Sequence, residues 1–315
     1  MNKKLNVKIK RKDNIILDIK RNPFCYLMIL PAAIYTFIFG YCTLPYIAIA
    51  FQKFNFRTSI FNSPFVGLKN FEFFFNSKNA LYVTLNTIRL NSLFILFGTI
   101  LAVSLSILMN EIKNKYFLKV TQSVFILPTF VSWVIASVFV YDFFSSQYGV
   151  INSFLSSIGW KRIEWYTEPK YWTGIFVMLN VWKSVGLTTV IYLAAIIGID
   201  QSYYEAAELD GASRWGKIRY ITLPFLYPTI SILTLLSISK IFYGDFGMIY
   251  SIVRDNGLLF PTTDVIDTYV FRALRLNGDI SNATAVGLYQ SVMGMILVII
   301  SNSIVKKYQD DSSLF

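Results

Sequence analysis

The sequence predicts an all-α polytopic membrane protein with six transmembrane helices and with both termini in the cytoplasm. Its 315 residues have a mean hydropathy of +0.51, and 15% of them are charged. Six apolar stretches approach or exceed the roughly 20 residues that a helix needs to cross a hydrocarbon core about 30 Å thick. Basic residues are concentrated in alternate connections between these stretches. The three observations favour a membrane bundle over a soluble domain.

The apolar stretches divide the chain into a basic segment, a membrane domain and a short tail. Residues 1–23 form a cytoplasmic segment with eight of the 29 Lys and Arg side chains. The first apolar stretch is too long for the core of a signal peptide, so it is expected to remain as the first helix. Residues 24–305 form the membrane domain, and residues 306–315 form a cytoplasmic tail. The predicted helices are 24–51, 82–109, 118–143, 173–199, 221–244 and 284–305.

The distribution of basic residues predicts the orientation in the membrane. If residues 1–23 are inside, the four inner segments carry 16 of the 29 basic residues, although the outer connections are longer. An even number of helices agrees with this orientation. The net charge of +11 therefore fits the positive-inside rule better than nucleic-acid binding. The basic first segment is expected to fix topology and to make some contact with anionic membrane lipid.

The residue types present disfavour an enzyme. The chain has no histidine, which is the commonest acid/base group and a frequent metal ligand. Cys25 and Cys42 lie near opposite ends of one predicted helix, so they cannot form a disulfide or a thiol metal site. The sequence lacks a G-x-x-x-x-G-K-[ST] phosphate-binding loop. We therefore expect no catalytic residue, no metal and no cofactor in this chain.

A polar stretch over residues 203–224 interrupts the apolar pattern on the predicted inner side. Ser202 followed by Glu205 fits a capping box at the start of a helix. Gly211 suits the left-handed conformation that ends a helix, and a second short helix over 212–220 is expected to follow. The stretch is therefore predicted to be an ordered helix-turn-helix. The alternative is a solvated connection that binds nothing.

The order and spacing of this stretch resemble the EAA loop of permease subunits of binding-protein-dependent ABC importers. The matching residues are Glu205-Ala206-Ala207, then Gly211, then Ile221-Thr222-Leu223-Pro224. Other segments resemble the sugar-transporting branch, especially lipoprotein/polysaccharide-type permeases similar to the maltose permease family; they are "FVGLKNFEFFF" (65–75), "ILPTFVSWV" (126–134), "VWKSVGLTTVIYLAAIIGID" (181–200) and "DVIDTYVFRALRLNGDISNATAVGL" (264–288). The resemblance covers the chain from about residue 22 and implies the type I importer fold.

The resemblance also implies partners and a role for the EAA loop. The expected partners are a second homologous permease, two cytoplasmic ATPases that hold ATP and Mg, and an extracellular substrate-binding protein or lipoprotein that delivers an oligosaccharide. In the family this loop forms a coupling helix that docks in a cleft of the ATPase. Pro224 suits the first turn of the fifth helix, which would carry the movement into the membrane. The expected coupling residues are Glu205, Ala206, Ala207, Asp210, Gly211, Leu223 and Pro224.

Polar residues inside the fourth helix are candidates for the substrate pathway. A charge such as that of Lys183 costs roughly 2.5 to 3.5 kcal/mol on insertion scales, so it is expected to face a polar cavity or a partner. Asn180 and Gly186 lie three residues to either side and extend the same face. Trp182, next to Lys183, is a candidate for stacking against a sugar ring. The alternative is a structural ion pair or a lysine that reaches towards the interface.

The fifth helix carries a second candidate polar face. Thr234, Ser237, Lys240 and Gly244 recur every three or four residues, and Tyr243 lies beside them. This face is expected to line the translocation path, with packing against the second permease as the alternative. In the sixth helix, the small residues Gly287, Ser291 and Gly294 instead favour close helix packing.

The sequence thus predicts one permease subunit of a bacterial importer, located in the cell membrane, for an oligosaccharide or related glycan. A permease for a non-sugar solute, such as a phosphodiester or a peptide, is the first alternative. A membrane-embedded enzyme that processes glycans is a second, but it would need an acid/base or metal cluster that the sequence lacks. A passive scaffold would give no reason for the spacing of the EAA loop.

Overall fold

The computed structural model describes residues 20–55, 59–76 and 80–308, and this part of the chain is almost entirely helical. Most of the predicted basic segment and of the short tail lies outside the described residues. Five of the described helices are long and apolar enough to cross a membrane, and a bent pair brings the number to six if it counts as one span. The prediction of an all-helical, polytopic membrane protein is confirmed.

Fifteen α-helices make up the described chain, and we number them in order. They are α1 (Pro23–Thr36), α2 (Ser59–Asn62), α3 (Lys69–Phe75), α4 (Ala80–Asn110), α5 (Lys115–Ile126), α6 (Trp133–Phe144), α7 (Val150–Ser157), α8 (Trp172–Ile197), α9 (Gln201–Leu209), α10 (Arg214–Lys217), α11 (Leu223–Ile238), α12 (Phe246–Val253), α13 (Phe260–Thr263), α14 (Ile266–Asn277) and α15 (Ile280–Tyr308). The α9 end and the α12 end are the two opposite ends of the bundle, because α11 returns from one to the other.

The first span has little contact with the rest of its own chain. Helix α1 buries no side chain, and it continues through a π-helix, Phe37–Tyr41, into a 3₁₀-helix, Leu44–Phe51. Only Ile49 and Ala50, at the end of the span, are buried. This last part packs against α15, the final helix of the described chain. The first span is therefore attached to the bundle mainly at one end.

The centre of the bundle is the pair α4 and α8, which pack along each other. Towards the α9 end, Ala102 and Val103 of α4 meet Val181, Val185 and Tyr192 of α8 in one apolar cluster. Small and β-branched side chains at these positions let the two helices approach closely, which supplies much of the attraction between helices in lipid. The remaining spans are arranged around this pair.

An aromatic cluster closes the α12 end. Trp172 and Phe176 at the start of α8 are fully buried and contact Phe144 of α6 and Met248 of α12. The indole N–H of Trp172 donates to the backbone carbonyl of Trp165 at 2.7 Å, so the buried polar atom is satisfied. This cluster fixes α12 against α6 and α8, next to the cavity described below.

The predicted straight helix over 118–143 is wrong. Helix α5 ends at Ile126, a 3₁₀ turn follows at Leu127–Phe130, and α6 leaves at an angle of 96°. Pro128 cannot continue the helical hydrogen bonds, and Ser132 caps the new helix by accepting from the N–H of Ile135 at 3.3 Å. We call residues 127–132 the break.

The predicted bounds 221–244 of the fifth helix are also wrong. The helix starts earlier, at Arg214, because α10 continues through a π-helix, Ile218–Thr222, into α11. The short helix predicted over 212–220 is thus present from Arg214, but it is continuous with the fifth span and not separate from it. The wider π turn precedes Pro224, which has no N–H to donate to the preceding turn. At the other end the helix stops at Ile238, and residues 239–245 form a non-helical segment that we call the cavity turn.

Candidate functional site: the exposed helix α9 and a polar cavity

Helix α9 has defined signals at both ends. Asp200 caps its start by accepting from the N–H of Ser202 at 2.9 Å, and this bond lowers the pKa of the Asp200 carboxyl. The predicted capping box of Ser202 and Glu205 is therefore wrong by two residues. Gly211 takes a φ of +76°, as predicted, and its N–H donates to the carbonyl of Glu208 at 3.0 Å. We call residues 210–213 the α9 turn.

Three contacts hold α9 against the base of the fifth span. The hydroxyl groups of Tyr204 and the buried Thr222 are 3.0 Å apart. The ring of Tyr203 packs against that of Phe225, with 5.1 Å between centroids. An ion pair joins Glu208 to Lys217, with 2.5 Å between Oε1 and Nζ. The hydrogen bond and the charge of Lys217 lower the pKa of the Glu208 carboxyl.

The opposite face of α9 is exposed in the part of the chain that the structure describes. Glu205, Ala206 and Asp210 are exposed, and Leu209 has 90% of its surface exposed. Ala207 is half-buried, and its carbonyl accepts from the N–H of Ala212 at 2.9 Å. Of the remaining predicted coupling residues, Leu223 and Pro224 occupy the first turn of α11 beside α9. The motif thus presents a short rigid helix outside the bundle.

A polar cavity of about 410 Å³ lies between α4, α8, α11 and the cavity turn, and it is open to the surface of the chain, where Ser184, Ser237 and Lys240 are exposed. Hydroxyl and amide groups from all four elements reach it, and one ammonium group and one carboxylate lie near the cavity turn. The lining residues are Asn91, Phe94, Ile95, Gly98, Thr99, Asn180, Ser184, Thr188, Tyr192, Leu233, Ser237, Lys240, Tyr243, Gly244 and Asp245. Such a lining offers hydrogen bonds to a polyhydroxylated molecule together with a positive charge.

Side chains from other helices bind the cavity turn and keep it from forming a helix. The side-chain amide of Asn91 donates to the carbonyls of Ile241 and Tyr243, at 3.0 and 2.9 Å. The hydroxyl groups of Tyr243 and Ser291 are 2.7 Å apart. The bonds from Asn91 occupy two backbone carbonyls that would accept intrahelical hydrogen bonds if the helix continued. Long-range contacts therefore end the fifth helix at Ile238.

Gly244 marks the most crowded point of the cavity turn. Its N–H donates to Oδ2 of Asp267 at 2.5 Å, and Gln290 donates to the same oxygen at 3.1 Å. Burial raises the pKa of the Asp267 carboxyl, although both hydrogen bonds act in the opposite direction. A Cβ at Gly244 would lie only 2.6 Å from Cγ2 of Val265. The position thus requires glycine for space.

The two charged residues of the cavity turn have different surroundings. Both oxygens of Asp245 are engaged, one by the indole N–H of Trp133 at 3.0 Å and the other by the N–H of Met248 at 2.9 Å. Lys240 has no side-chain hydrogen bond or ion pair with any residue in the described ranges. The cavity therefore presents a cation whose charge is not neutralised by the nearby carboxylate.

The structure brings together four of the seven predicted pathway residues. Asn180, Ser237, Lys240 and Tyr243 line the polar cavity, but Lys240 and Tyr243 do so from the cavity turn and not from a helical face. Thr234 does not line this cavity.

Trp182 and Lys183 are also placed differently from the prediction. Trp182 lines a separate apolar cavity of about 470 Å³ between α6 and α8. Lys183 faces the break, where its ammonium group donates to backbone carbonyls. The predicted face that joins Asn180 to Lys183 and Gly186 is wrong, because Gly186 is buried against Phe125 of α5 and Asn180 faces the cavity.

Several cavity residues were missed by sequence reasoning. Ser184 and Thr188 follow Asn180 at intervals of four residues on α8, and this polar repeat is visible in the sequence. Asn91 and Thr99 on α4 lie eight residues apart and show a similar repeat. Both polar repeats are visible in the sequence, but the charge of Lys183 favours another face of α8 as the candidate for the pathway.

Comparison with known families identifies the class of protein to which this chain belongs. Residues 94–311 match the family described as binding-protein-dependent transport system inner membrane component. The chain belongs to this family. It is therefore a multi-pass membrane permease subunit of an ABC importer, which works with a substrate-binding protein, and its role is transport and not catalysis.

Related permeases match along nearly the whole chain. "Protein LplB" of Bacillus subtilis (strain 168) is 34% identical over 297 residues, which cover 94% of this chain and 92% of that protein. "Polygalacturonan/rhamnogalacturonan transport system permease protein YteP" of the same organism is 31% identical over 304 residues, 96% of this chain and 94% of that protein.

A solved structure shares the fold of this permease. It is a chain in the crystal structure of a bacterial ABC transporter involved in the import of the acidic polysaccharide alginate, with a TM-score of 0.83 and 33% identity. The match covers 94% of this chain and 99% of that one. The predicted type I importer fold and the resemblance to sugar-transporting permeases are confirmed.

Proposed function

We propose that this permease forms half of the pathway of an importer for oligosaccharides that carry carboxylate groups. The polar cavity carries the proposal, because it combines hydroxyl and amide groups with the ammonium group of Lys240, which has no ion-pair partner among the described residues. Sugar hydroxyls match the first set, and a uronate carboxylate matches the cation. The names of related proteins, which refer to polygalacturonan, rhamnogalacturonan and alginate, support the same class of cargo.

The second half of the pathway and the energy source come from other subunits in this proposal. A second homologous permease faces the polar cavity, and two ATPases bind ATP and Mg on the cytoplasmic side. The exposed face of α9 docks in the ATPase through Glu205, Ala206 and Leu209, and the exposure of these three side chains supports this role. Both termini and the α9 end are then cytoplasmic, and the α12 end receives the loaded binding protein.

Transport then proceeds by alternating access. Closure of the ATPases moves α9, and the contacts of Tyr204 with Thr222 and of Glu208 with Lys217 transmit that movement to the fifth span. This span ends in the cavity turn, so movement of α11 changes the position of Lys240 and Tyr243 relative to α4 and α8. ATP hydrolysis resets the inward-facing state.

Uptake by the assembled transporter in lipid vesicles tests the cargo. Radiolabelled trigalacturonate and maltotriose are offered with the cognate binding protein, and we expect ATP-dependent uptake of trigalacturonate alone. Lys240→Met should raise the KM for trigalacturonate about tenfold, the scale of losing one charge-assisted hydrogen bond.

Lys119→Met is the matched control, because Lys119 is an exposed residue of α5 that does not line the polar cavity. Its KM should equal that of the wild type. Uptake of maltotriose at an equal rate, or an unchanged KM in the Lys240→Met variant, would remove the acidic oligosaccharide as the cargo. Retention of a phosphodiester or a peptide by the binding protein would favour the non-sugar alternative.

A further inference from the structure

Lys183 is a charged residue in the middle of a span, and its side chain does not line the polar cavity. Its ammonium group donates to the carbonyls of Pro128 and Thr129, at 3.5 and 3.1 Å, and to that of Val131. All three carbonyls belong to the break in the third span. In return, the hydroxyl of Thr129 donates to the carbonyl of Lys183 at 2.9 Å. The two spans are thus joined by hydrogen bonds in both directions.

The backbone carbonyl groups of the break need hydrogen-bond donors from outside their own helix. A helix that ends leaves carbonyl groups without intrahelical partners, and the interior of a membrane offers little water to satisfy them. A cation also matches the negative end of the helix dipole of α5. Lys183 supplies both the hydrogen bonds and the charge, so it satisfies the break from the neighbouring helix.

Close packing beside Lys183 keeps the two spans in register. An ideal Cβ at Gly186 would lie 1.9 Å from the carbonyl oxygen of Phe125, so the backbones of α8 and α5 are in direct contact there. Gly186 lies three residues after Lys183, less than one turn of the helix. The break can therefore shift relative to α8 only if the contacts of both residues are lost.

A chain of contacts connects Lys183 to the polar cavity through Trp133. The ammonium group of Lys183 lies 5.1 Å from the ring centroid of Trp133, the first residue of α6. The indole N–H of Trp133 donates to Asp245, which lies in the cavity turn and caps α12. On its other side the indole meets Gly247, where an ideal Cβ would be 3.3 Å from Cδ1.

We propose that Lys183 is a positioning residue for transport, which sets the break and thereby holds Trp133 against Asp245 at the cavity turn. Its charge does not bind the cargo. The inference rests on the importer function of the chain but not on the nature of the cargo. Loss of the Lys183 ammonium group frees the break, moves Trp133 and disturbs the cavity turn without removing any group that lines the cavity.

Transport kinetics provide the first test, with trigalacturonate as the probe in vesicles that contain the assembled transporter. Lys183→Met keeps most of the side-chain length and should lower the maximal uptake rate about tenfold, the scale of losing charge-assisted hydrogen bonds, with a smaller rise in KM than in Lys240→Met. Lys183→Arg should recover part of the rate, since it restores the charge and several donors. Trp133→Phe should resemble Lys183→Met, and the double variant should be no slower than the slower single variant.

A spectroscopic test needs no transport, so it decides about Lys183 even if trigalacturonate is not the cargo. The assembled transporter is labelled with fluorotryptophan, and the fluorine resonance of Trp133 is identified by its loss in Trp133→Phe. Lys183→Met should shift this resonance, while those of Trp160 and Trp215, which are exposed and lie away from the break, stay in place. Lys183→Arg should shift it less.

Three results would overturn the proposal. A raised KM with an unchanged maximal rate in Lys183→Met would make Lys183 a contact of the cargo. Additive losses in the double variant would mean that Lys183 and Trp133 act separately. An unchanged Trp133 resonance in Lys183→Met would mean that the ammonium group does not set the position of the indole.

Discussion

The α9 turn and the cavity turn both interrupt helical structure next to the fifth span, but they are specified in opposite ways. Residues 210–213 turn because of Gly211 and because Ser213 caps the next helix by accepting from the N–H of Gly216 at 3.1 Å. Residues 239–245 turn because Asn91, Asp267 and Gln290 bind their backbone. The first turn is thus local, whereas the second depends on the assembled bundle.

This difference suits the proposed roles of the two turns. A local turn keeps its shape when α9 moves as a unit, which a coupling element requires. A turn held by α4, α14 and α15 changes its shape when those helices shift, which a gate beside the cargo requires. The following predictions test this contrast, in order of decreasing expected effect.

Gly244→Ala should give the largest loss, because the cavity turn has no space for a side chain there. The new Cβ would lie 2.6 Å from Val265 and 3.0 Å from Asp267. Overpacking of this kind costs up to about 3 kcal/mol, measured as the free energy of unfolding in mixed micelles. Gly98→Ala is the control, since Gly98 also lines the cavity but has no atom within 4 Å of the added Cβ. Equal stability of both variants would contradict the tertiary origin of the cavity turn.

Asn91→Leu should be the next most harmful change. It leaves the carbonyls of Ile241 and Tyr243 without the donor that now satisfies them, at a cost of about 2 kcal/mol in unfolding free energy. Asn180→Leu serves for comparison, because the Asn180 side chain lines the same cavity and makes no hydrogen bond within the described chain. If both leucine variants unfold alike, Asn91 does not hold the turn.

Gly211→Ala should have a smaller and more local effect. The left-handed backbone at φ +76° costs a residue with a Cβ about 1 kcal/mol, while the space around Gly211 is open. We expect the affinity for the ATPase subunits to fall about fivefold and the unfolding of the bundle to stay unchanged. Gly216→Ala, at a helical position with Ser213 Oγ 3.5 Å from the added Cβ, should retain full affinity. A large loss of bundle stability in the Gly211 variant would mean that the α9 turn is not local.

The smallest effect concerns pH and the ion pair of Glu208 with Lys217. Because Lys217 lowers the pKa of Glu208, the pair stabilises α9 above the ordinary pKa of a glutamate. This stabilisation is lost as the pH falls through the lowered pKa. The Glu208 side chain is 65% exposed, so solvent screens the ion pair and its contribution to stability is small.

Hydrogen exchange of the α9 amides measures this contribution. Exchange in Glu208→Gln should be faster than in the wild type at about pH 7, and the difference should disappear once the pH is below the lowered pKa of Glu208, where its carboxylate is protonated in both folded and unfolded chains. Glu205→Gln is the matched control, because Glu205 is exposed and its side chain forms no hydrogen bond or ion pair with the described part of the chain. Equal exchange of wild type and Glu208→Gln at neutral pH would show that the ion pair does not hold α9.

The same contrast explains what the sequence predicts well. The α9 turn was predicted because Gly211 and the neighbouring helix formers act within a few residues of each other. The error at the start of α9 is small and also local, because Asp200 and Ser202 are both good caps and lie two residues apart.

The cavity turn and the break were not predicted, because their causes lie in distant parts of the chain. The polar repeat of Ser237 and Lys240 continues past Ile238 and predicts a longer helix, but Asn91 and Asp267 compete for the backbone. Pro128 is visible in the sequence, but the contacts of the bent segment with Lys183 and Gly186 of another span are not. Site residues on such segments cannot be assigned to a face from periodicity alone.

The attachment of the first span has a consequence for synthesis on the ribosome. Helix α1 leaves the ribosome before every other span, but the part of the span that follows it packs against α15, and the N–H of Phe54 donates to Ser281 at 2.9 Å. These partners are translated more than 220 residues later. The contacts of the first span with α15 can therefore form only after almost the whole chain has been inserted. A nascent chain stalled before α15 should leave this span open to chaperones and membrane proteases.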